Sequence, residues 1–277
     1  MSKKHLEEYI GFGVAGNFAH HLVQAGEADD FVNVKVDDEN APKGIFPFYI
    51  PKHNSFLGTY PLSSTTIIDP KIENGNLQME PEVGLICELE YEDGQVVNII
   101  PNYFTAYNDC SIRKPDAKKI SEKKNWGTQT KGISSQIIPI DKFEKGGVMD
   151  SYFIASFLKR DGKLEVYGED SAVLTYNYFY DQLKQWMINK LNTQQDDGPL
   201  EDLSSYLKEC NYPKGMIISI GATSYTKFGE TTFLRAGDEI FVCVYDKNTN
   251  SFEEIIEQLE AGNTEIKNAS VLSQSIE

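Results

Sequence analysis

Glu80-Pro81-Glu82-Val83-Gly84-Leu85-Ile86-Cys87-Glu88-Leu89-Glu90-Tyr91 is the most regular strand signal in this chain of 277 residues. Val83, Leu85, Cys87, Leu89 and Tyr91 share one face of an extended backbone, because side chains repeat there every second residue. Asp93-Gly94 follows as a two-residue hairpin signal, and Gln95-Val96-Val97-Asn98-Ile99-Ile100 pairs back. At the head of the strand Glu80 and Glu82 stand two residues apart and project to the same side. Pro81 between them has no N–H for a ladder, which suits a strand start. Asn108-Asp109 lies near the end of the stretch Asn102–Arg113, uncharged but for Asp109 and Arg113, so a returning strand can bring Asp109 beside both glutamates. Three carboxylates at one point repel one another unless a cation neutralises them. All-oxygen ligation favours a hard ion, Mg²⁺, Ca²⁺ or Mn²⁺. Plainer readings stay open here: a solvated acidic strand face for the glutamates, a turn aspartate for Asp109.

Working outward, Asp161-Gly162 signals a second hairpin between Ser151–Arg160 and Lys163–Gly168. Gly215–Gly221 and Asp238–Asp246 are two more β-branched or aromatic runs. Helix signals are fewer. Asn17–Ala25 predicts one, with Asn17 as N-cap. Asn177–Leu191 places Phe179, Leu183, Trp186 and Met187 at helical spacing, with Leu191 one turn on. A polar loop, Thr193–Asp202, precedes a short helix ending near Asn211. Ser251–Glu260 is amphipathic, and a polar tail follows. With no internal repeat and no convincing linker, the chain reads as one mixed, β-rich domain over residues 1–250, followed by a C-terminal helix and tail over residues 251–277.

Acidic residues outnumber basic ones by 42 to 26, for a net charge of −16. That balance argues against nucleic acid and anionic lipid, both of which need Lys or Arg to neutralise phosphate. A small acidic substrate is compatible with it, since a bound metal reverses the local field. The four cysteines are scattered without metal or disulfide spacing. No apolar run of signal-peptide or membrane-spanning type is present, so a cytoplasmic location is expected.

Two further segments carry candidate chemistry. His20-His21 lies in Gly16–Glu27, where adjacent helical residues diverge by about 100°, so one faces inward. Lys131 precedes Gly132 and the pair Ser134-Ser135. A surface histidine pair and an exposed loop lysine are the plainer readings.

Read in order from about Gly11 to Asp246, the segments resemble the fumarylacetoacetate hydrolase family. Its G-x-N-Y-x-x-H-x-x-E is similar to the stretch holding Asn17, Phe18 and His21, and its F-x-K-P to Phe48–Lys52. Its E-x-E resembles Glu80-Pro81-Glu82, and its N-D-x-S-A-R resembles Asn108-Asp109-Cys110-Ser111-Ile112-Arg113. The lysine of its K-x-F-D-T resembles Lys131, and its F-L-x-P-G-D resembles Phe233–Asp238. The resemblance implies an α+β, β-rich fold, a mixed β-sheet roll with few helices, in which residues 1–60 carry a lid histidine, His21. It implies one divalent cation on Glu80, Glu82 and Asp109, with Mg²⁺ first and Mn²⁺ or Ca²⁺ as alternatives. It further implies enolate stabilisation by Lys131, proton transfer by His21, and a homodimer. Asn17, Ser111, Arg113 and Thr223 become candidates for contact with a small carboxylic acid substrate.

Departures from the pattern are specific. Gly16 replaces an arginine and Gln24 the glutamate that partners the histidine, unless Glu27 takes that part. Ser134 and Lys114 replace aspartates, and Ile220-Gly221-Ala222-Thr223 stands for T-G-T-P. Two readings follow. One is a metal-dependent hydrolase or decarboxylase of a small oxo or diketo acid, with an isomerase or hydratase as a variant. The other is a non-catalytic binding protein of the same fold, which the neutral amide at Gln24 favours.

Overall fold

The computed structural model describes residues 6–18, 21–26, 31, 34, 38–72, 75–113 and 117–277. Among them lie strands β1 (Ile10–Ala15), β2 (Gly44–Tyr49), β3 (Leu62–Ser63), β4 (Thr66–Ile67), β5 (Asn76–Gln78), β6 (Pro81–Glu92), β7 (Gln95–Asn108) and β8 (Ser111–Arg113). They are followed by β9 (Lys131–Ile133), β10 (Ile138–Pro139), β11 (Tyr152–Arg160), β12 (Lys163–Ala172), β13 (Gly215–Ser219), β14 (Glu239–Asp246) and β15 (Ala269–Ile276). Helices are few: α1 (His21–Gln24), α2 (Tyr180–Thr193), α3 (Leu203–Glu209), α4 (Lys227–Thr231) and α5 (Phe252–Glu260).

One large sheet runs β2-β1-β13-β6-β7-β9-β3, with β10 also on β7, and a second runs β12-β11-β14-β15-β4. Parallel pairs (β1 with β13, β3 with β9, β4 with β15) sit among antiparallel ones, so the architecture is a mixed-sheet, β-rich α+β fold. The main apolar core joins Phe12, Val83, Leu85 and Phe104 of the first sheet to Ile154, Leu158, Val242 and Leu272 of the second. Helix α2 adds Leu183, Trp186, Met187 and Leu191 to it, the residues that the helical spacing selects. Helix α5 packs Ile255 and Leu259 against Phe157, Phe241 and Val271. Its start is fixed by a capping box between Ser251 and Glu254.

The β6–β7 hairpin positions the site. Asp93 and Gly94 have φ of 49° and 79°, the left-handed pair that a tight two-residue hairpin turn requires. Glu92 pairs with Gln95 beside the turn, but the register shifts between Glu90 and Tyr91 and again between Ile86 and Cys87. Val97 and Asn102 are the residues of β7 passed over. Each bulge advances β7 by one residue against β6. Without them Tyr107 would stand across from Glu80, and with one of them Asn108 would. With both, Pro81 pairs with Asn108 and the Asp109 N–H donates to the Glu80 carbonyl at 2.9 Å. The two bulges therefore deliver the aspartate to the glutamates.

The structure departs from the sequence expectations in three places. Strands β1 and β2 form in a region where no strand is read, because Gly11 and Gly13 interrupt the β pattern of Ile10–Ala15. A Cβ at either would fall within the ring of Phe48 or Phe46 on the neighbouring strand, so the glycines mark close packing rather than a loop. The polar tail becomes β15, between β14 and β4. Its inward polar side chains are satisfied: Ser270 Oγ accepts from the Ala106 N–H at 2.9 Å, and Gln274 Oε1 accepts from Asn108 Nδ2 at 3.1 Å. Helix α1 covers His21–Gln24 alone among the described residues of Asn17–Ala25, and Asn17 does not cap it. Asn17 Oδ1 instead accepts from the Tyr178 N–H at 2.8 Å. No helix among the described residues is long and apolar enough to cross a membrane.

Candidate metal centre

Glu80 and Glu82 flank the first residue of β6, and Asp109 follows the last residue of β7. All three are buried, and one oxygen of each lies within 4.8 Å of the others. Arg113, on β8, places Nη2 2.7 Å from Glu80 Oε1. Lys124 places Nζ 2.6 Å from Glu80 Oε2 and 2.5 Å from Asp109 Oδ2. Lys131, at the start of β9, places Nζ 2.5 Å from Asp109 Oδ1 and donates to the Cys110 carbonyl at 3.2 Å. Three cations thus meet the carboxylates of Glu80 and Asp109.

The electrostatics differ from residue to residue. Burial alone would raise the Glu80 carboxyl, but Lys124 and Arg113 outweigh it and hold it far below the usual carboxylate range. Burial, with Asp109 and Glu80 nearby, pushes Glu82 well above that range, against which the Gly221 N–H donates to its Oε2 at 2.7 Å. Burial draws the Lys131 ammonium below its ordinary value, although Asp109 opposes this. Carboxylate oxygens so close together form a donor set for a hard divalent ion, and the residues present fit one.

His21 lines the same small cavity as Glu80, Glu82, Asp109 and Lys124. Its Nδ1 lies 2.9 Å from the Thr223 carbonyl, which can only accept, so Nδ1 carries a proton. Thr223 is itself fixed to β6, its N–H donating to the Pro81 carbonyl at 3.1 Å. His20, Glu27 and Lys114 lie outside the described residues. The Gln24 amide is occupied at both ends by the Tyr225 backbone, accepting at 2.9 Å and donating at 3.1 Å. Asn17 is likewise engaged, donating to the Tyr178 and Ile220 carbonyls at 3.0 and 2.9 Å. Ser111 is buried on β8 with no hydrogen-bond partner for Oγ among the described residues. The structure therefore gathers Glu80, Glu82, Asp109, Arg113, Lys131 and His21, and turns Asn17 and Gln24 to the backbone.

Lys124 is the site residue that sequence reasoning missed. In Ser121-Glu122-Lys123-Lys124 it reads as part of a solvated basic run. The remaining signal is the next two residues, Asn125 and Trp126, whose side chains lock the segment inward. Asn125 Nδ2 donates to the Phe48 and Thr59 carbonyls at 2.8 and 2.9 Å, and Trp126 Nε1 to the Ile68 carbonyl at 2.9 Å.

A family of unknown function, DUF5718, matches residues 27–276. The chain belongs to that family. No curated protein matches the sequence. Among solved structures the chain is similar to 5-carboxymethyl-2-hydroxymuconate delta-isomerase from Mycobacterium smegmatis, at 12% identity and TM-score 0.54, over 96% of this chain and 78% of that one. It is also similar to a protein from Yersinia pestis CO92 assigned to the fumarylacetoacetate hydrolase family, at 13% identity and TM-score 0.53, over 97% and 93% of the two chains. A third is 2-keto-3-deoxyarabinonate dehydratase, at 12% identity and TM-score 0.53, over 100% and 80%. This DUF5718 chain therefore has the fumarylacetoacetate hydrolase-like fold.

Proposed function

We propose that this chain is a divergent member of the fumarylacetoacetate hydrolase family, a divalent-metal-dependent enzyme acting on a small oxo or diketo acid by C–C hydrolysis or decarboxylation. The observation that carries the reading is the buried convergence of Glu80, Glu82 and Asp109 with Lys131 on Asp109 and His21 on the same cavity. The named isomerase and dehydratase of the same fold act on small acids, which supports the substrate class.

Glu80, Glu82 and Asp109 would hold the ion, Mg²⁺ first, with Mn²⁺ or Ca²⁺ as alternatives. When bound, it supplies Lewis-acid polarisation of a substrate oxygen. Lys131, held on Asp109, would stabilise developing enolate charge, an interaction that strengthens as the charge forms. With Nδ1 protonated by its bond to Thr223, His21 presents Nε2 to take or give the proton. The Gly221 N–H fixes the orientation of Glu82. The cavity beside the carboxylates measures about 20 Å³, room for one water. An oxo acid needs more room than this cavity provides. A homodimer in the cytoplasm completes the proposal.

A second reading, a binding protein without turnover, is favoured by the Gln24 amide being committed to Tyr225 rather than to a histidine. The two separate in one assay: the purified chain with a panel of oxo and diketo acids in Mg²⁺, in Mn²⁺ and in excess chelator. The enzyme reading expects turnover of at least one acid, abolished by chelator, and a His21→Asn variant impaired far more in hydrolysis than in decarboxylation. No turnover of any acid with either ion would favour the binding protein.

A further inference from the structure

We propose that Lys124 and a divalent ion compete for one place between Glu80 and Asp109, so that a metal binds by displacing this ammonium. The inference rests on the metal reading above and names the group of this chain that sets the affinity.

Lys124 Nζ is at ligand distance from both residues, 2.6 Å from Glu80 Oε2 and 2.5 Å from Asp109 Oδ2. The other cations each serve one of them: Arg113 holds Glu80 Oε1 at 2.7 Å, and Lys131 holds Asp109 Oδ1 at 2.5 Å. Oε2 and Oδ2 are therefore the pair that Lys124 bridges and that the other two cations would leave to an incoming ion. A divalent ion and an ammonium sharing those two oxygens would repel each other at contact range in a buried site.

The placement of Lys124 is built into the chain. Its side chain is 2% exposed, and its nitrogen sits 5.3 Å from the centre of the Phe46 ring. The backbone beneath it is tied by the Lys124 N–H to the Ser121 carbonyl at 3.0 Å, and just beyond by the Asn125 and Trp126 bonds described above. The lysine bridges two of the three converging carboxylates, so the cluster can be preformed in the absence of metal and then exchange one cation for another.

The test is calorimetric titration of Mg²⁺ and Mn²⁺ into the wild-type chain and into Lys124→Met, Lys124→Gln and Lys124→Arg, with thermal unfolding of each measured with and without metal. Displacement predicts that the Met and Gln variants bind at least about tenfold more tightly than wild type, the scale on which neighbours of metal ligands act, whereas Arg does not. It also predicts that both neutral variants unfold at lower temperature without metal and recover with it, because the ion replaces the lost charge. A Met variant that folds only in Mg²⁺ would agree, and the Gln variant then supplies the affinity. Binding by the wild type with no gain in either neutral variant would overturn the displacement while leaving the metal reading intact. Absence of binding by every variant and by the wild type would remove both.

Discussion

Asp109→Asn is expected to unfold at a temperature roughly 10 °C below the wild type. Asp109 is fully buried and is paired at 2.5 Å through one oxygen to Lys131 and through the other to Lys124. A neutral amide cannot balance two ammonium groups, and breaking one partner out of a buried ion pair costs about 3–5 kcal/mol. In a chain of this size each kcal/mol moves Tm by roughly 2–4 °C, which gives the stated fall. Glu82→Gln is the informative contrast. Burial, Asp109 and Glu80 already push that carboxyl well up, and an amide oxygen retains the bond from the Gly221 N–H. The Glu82 variant should therefore lose much less than the Asp109 variant. Thermal unfolding followed by circular dichroism compares them directly, and equal losses would show that the two carboxylates do not differ as described.

Lys131→Met is expected to lower kcat by about 10²–10³, the range found when one preorganised donor to a developing negative charge is removed. Its ammonium is completely buried, anchored by Asp109 and the Cys110 carbonyl, and drawn below its ordinary value mainly by burial. A group so held needs no reorganisation when enolate charge appears. Metal affinity should stay level or rise, because a positive charge beside Asp109 is lost. Steady-state kinetics on any accepted oxo acid, together with metal titration, reads both effects. An unchanged kcat would remove Lys131 from the chemistry, and a parallel loss of metal affinity would make its role structural.

Much of this was legible in the sequence, for physical reasons that can be named. Strand β6 announces itself through period-two apolar residues, and Asp93-Gly94 specifies its turn. The i, i+2 spacing of Glu80 and Glu82 puts both on one face. What the sequence does not display is register. The bulge at Val97 leaves no compositional mark and the one at Asn102 only the neighbouring Pro101, yet together they decide that Asp109, rather than Tyr107 or Asn108, stands across from Glu80. Lys124 was hidden for a related reason: a lysine among lysines is buried only because Asn125 and Trp126, remote contacts included, fold their segment inward. Strand β15 was masked by serine and glutamine whose polar atoms find partners across the core. In each case a long-range pairing satisfies a residue whose local preference points the other way.

The central claim, that Glu80, Glu82 and Asp109 hold one divalent ion, is tested most directly by anomalous scattering from crystals grown or soaked in Mn²⁺. The account predicts one strong peak with oxygens of all three residues at roughly 2.0–2.6 Å and Lys124 Nζ withdrawn from between them. Saturating Mn²⁺ that produced no peak there, or a peak elsewhere with Lys124 still bridging Glu80 and Asp109, would contradict it.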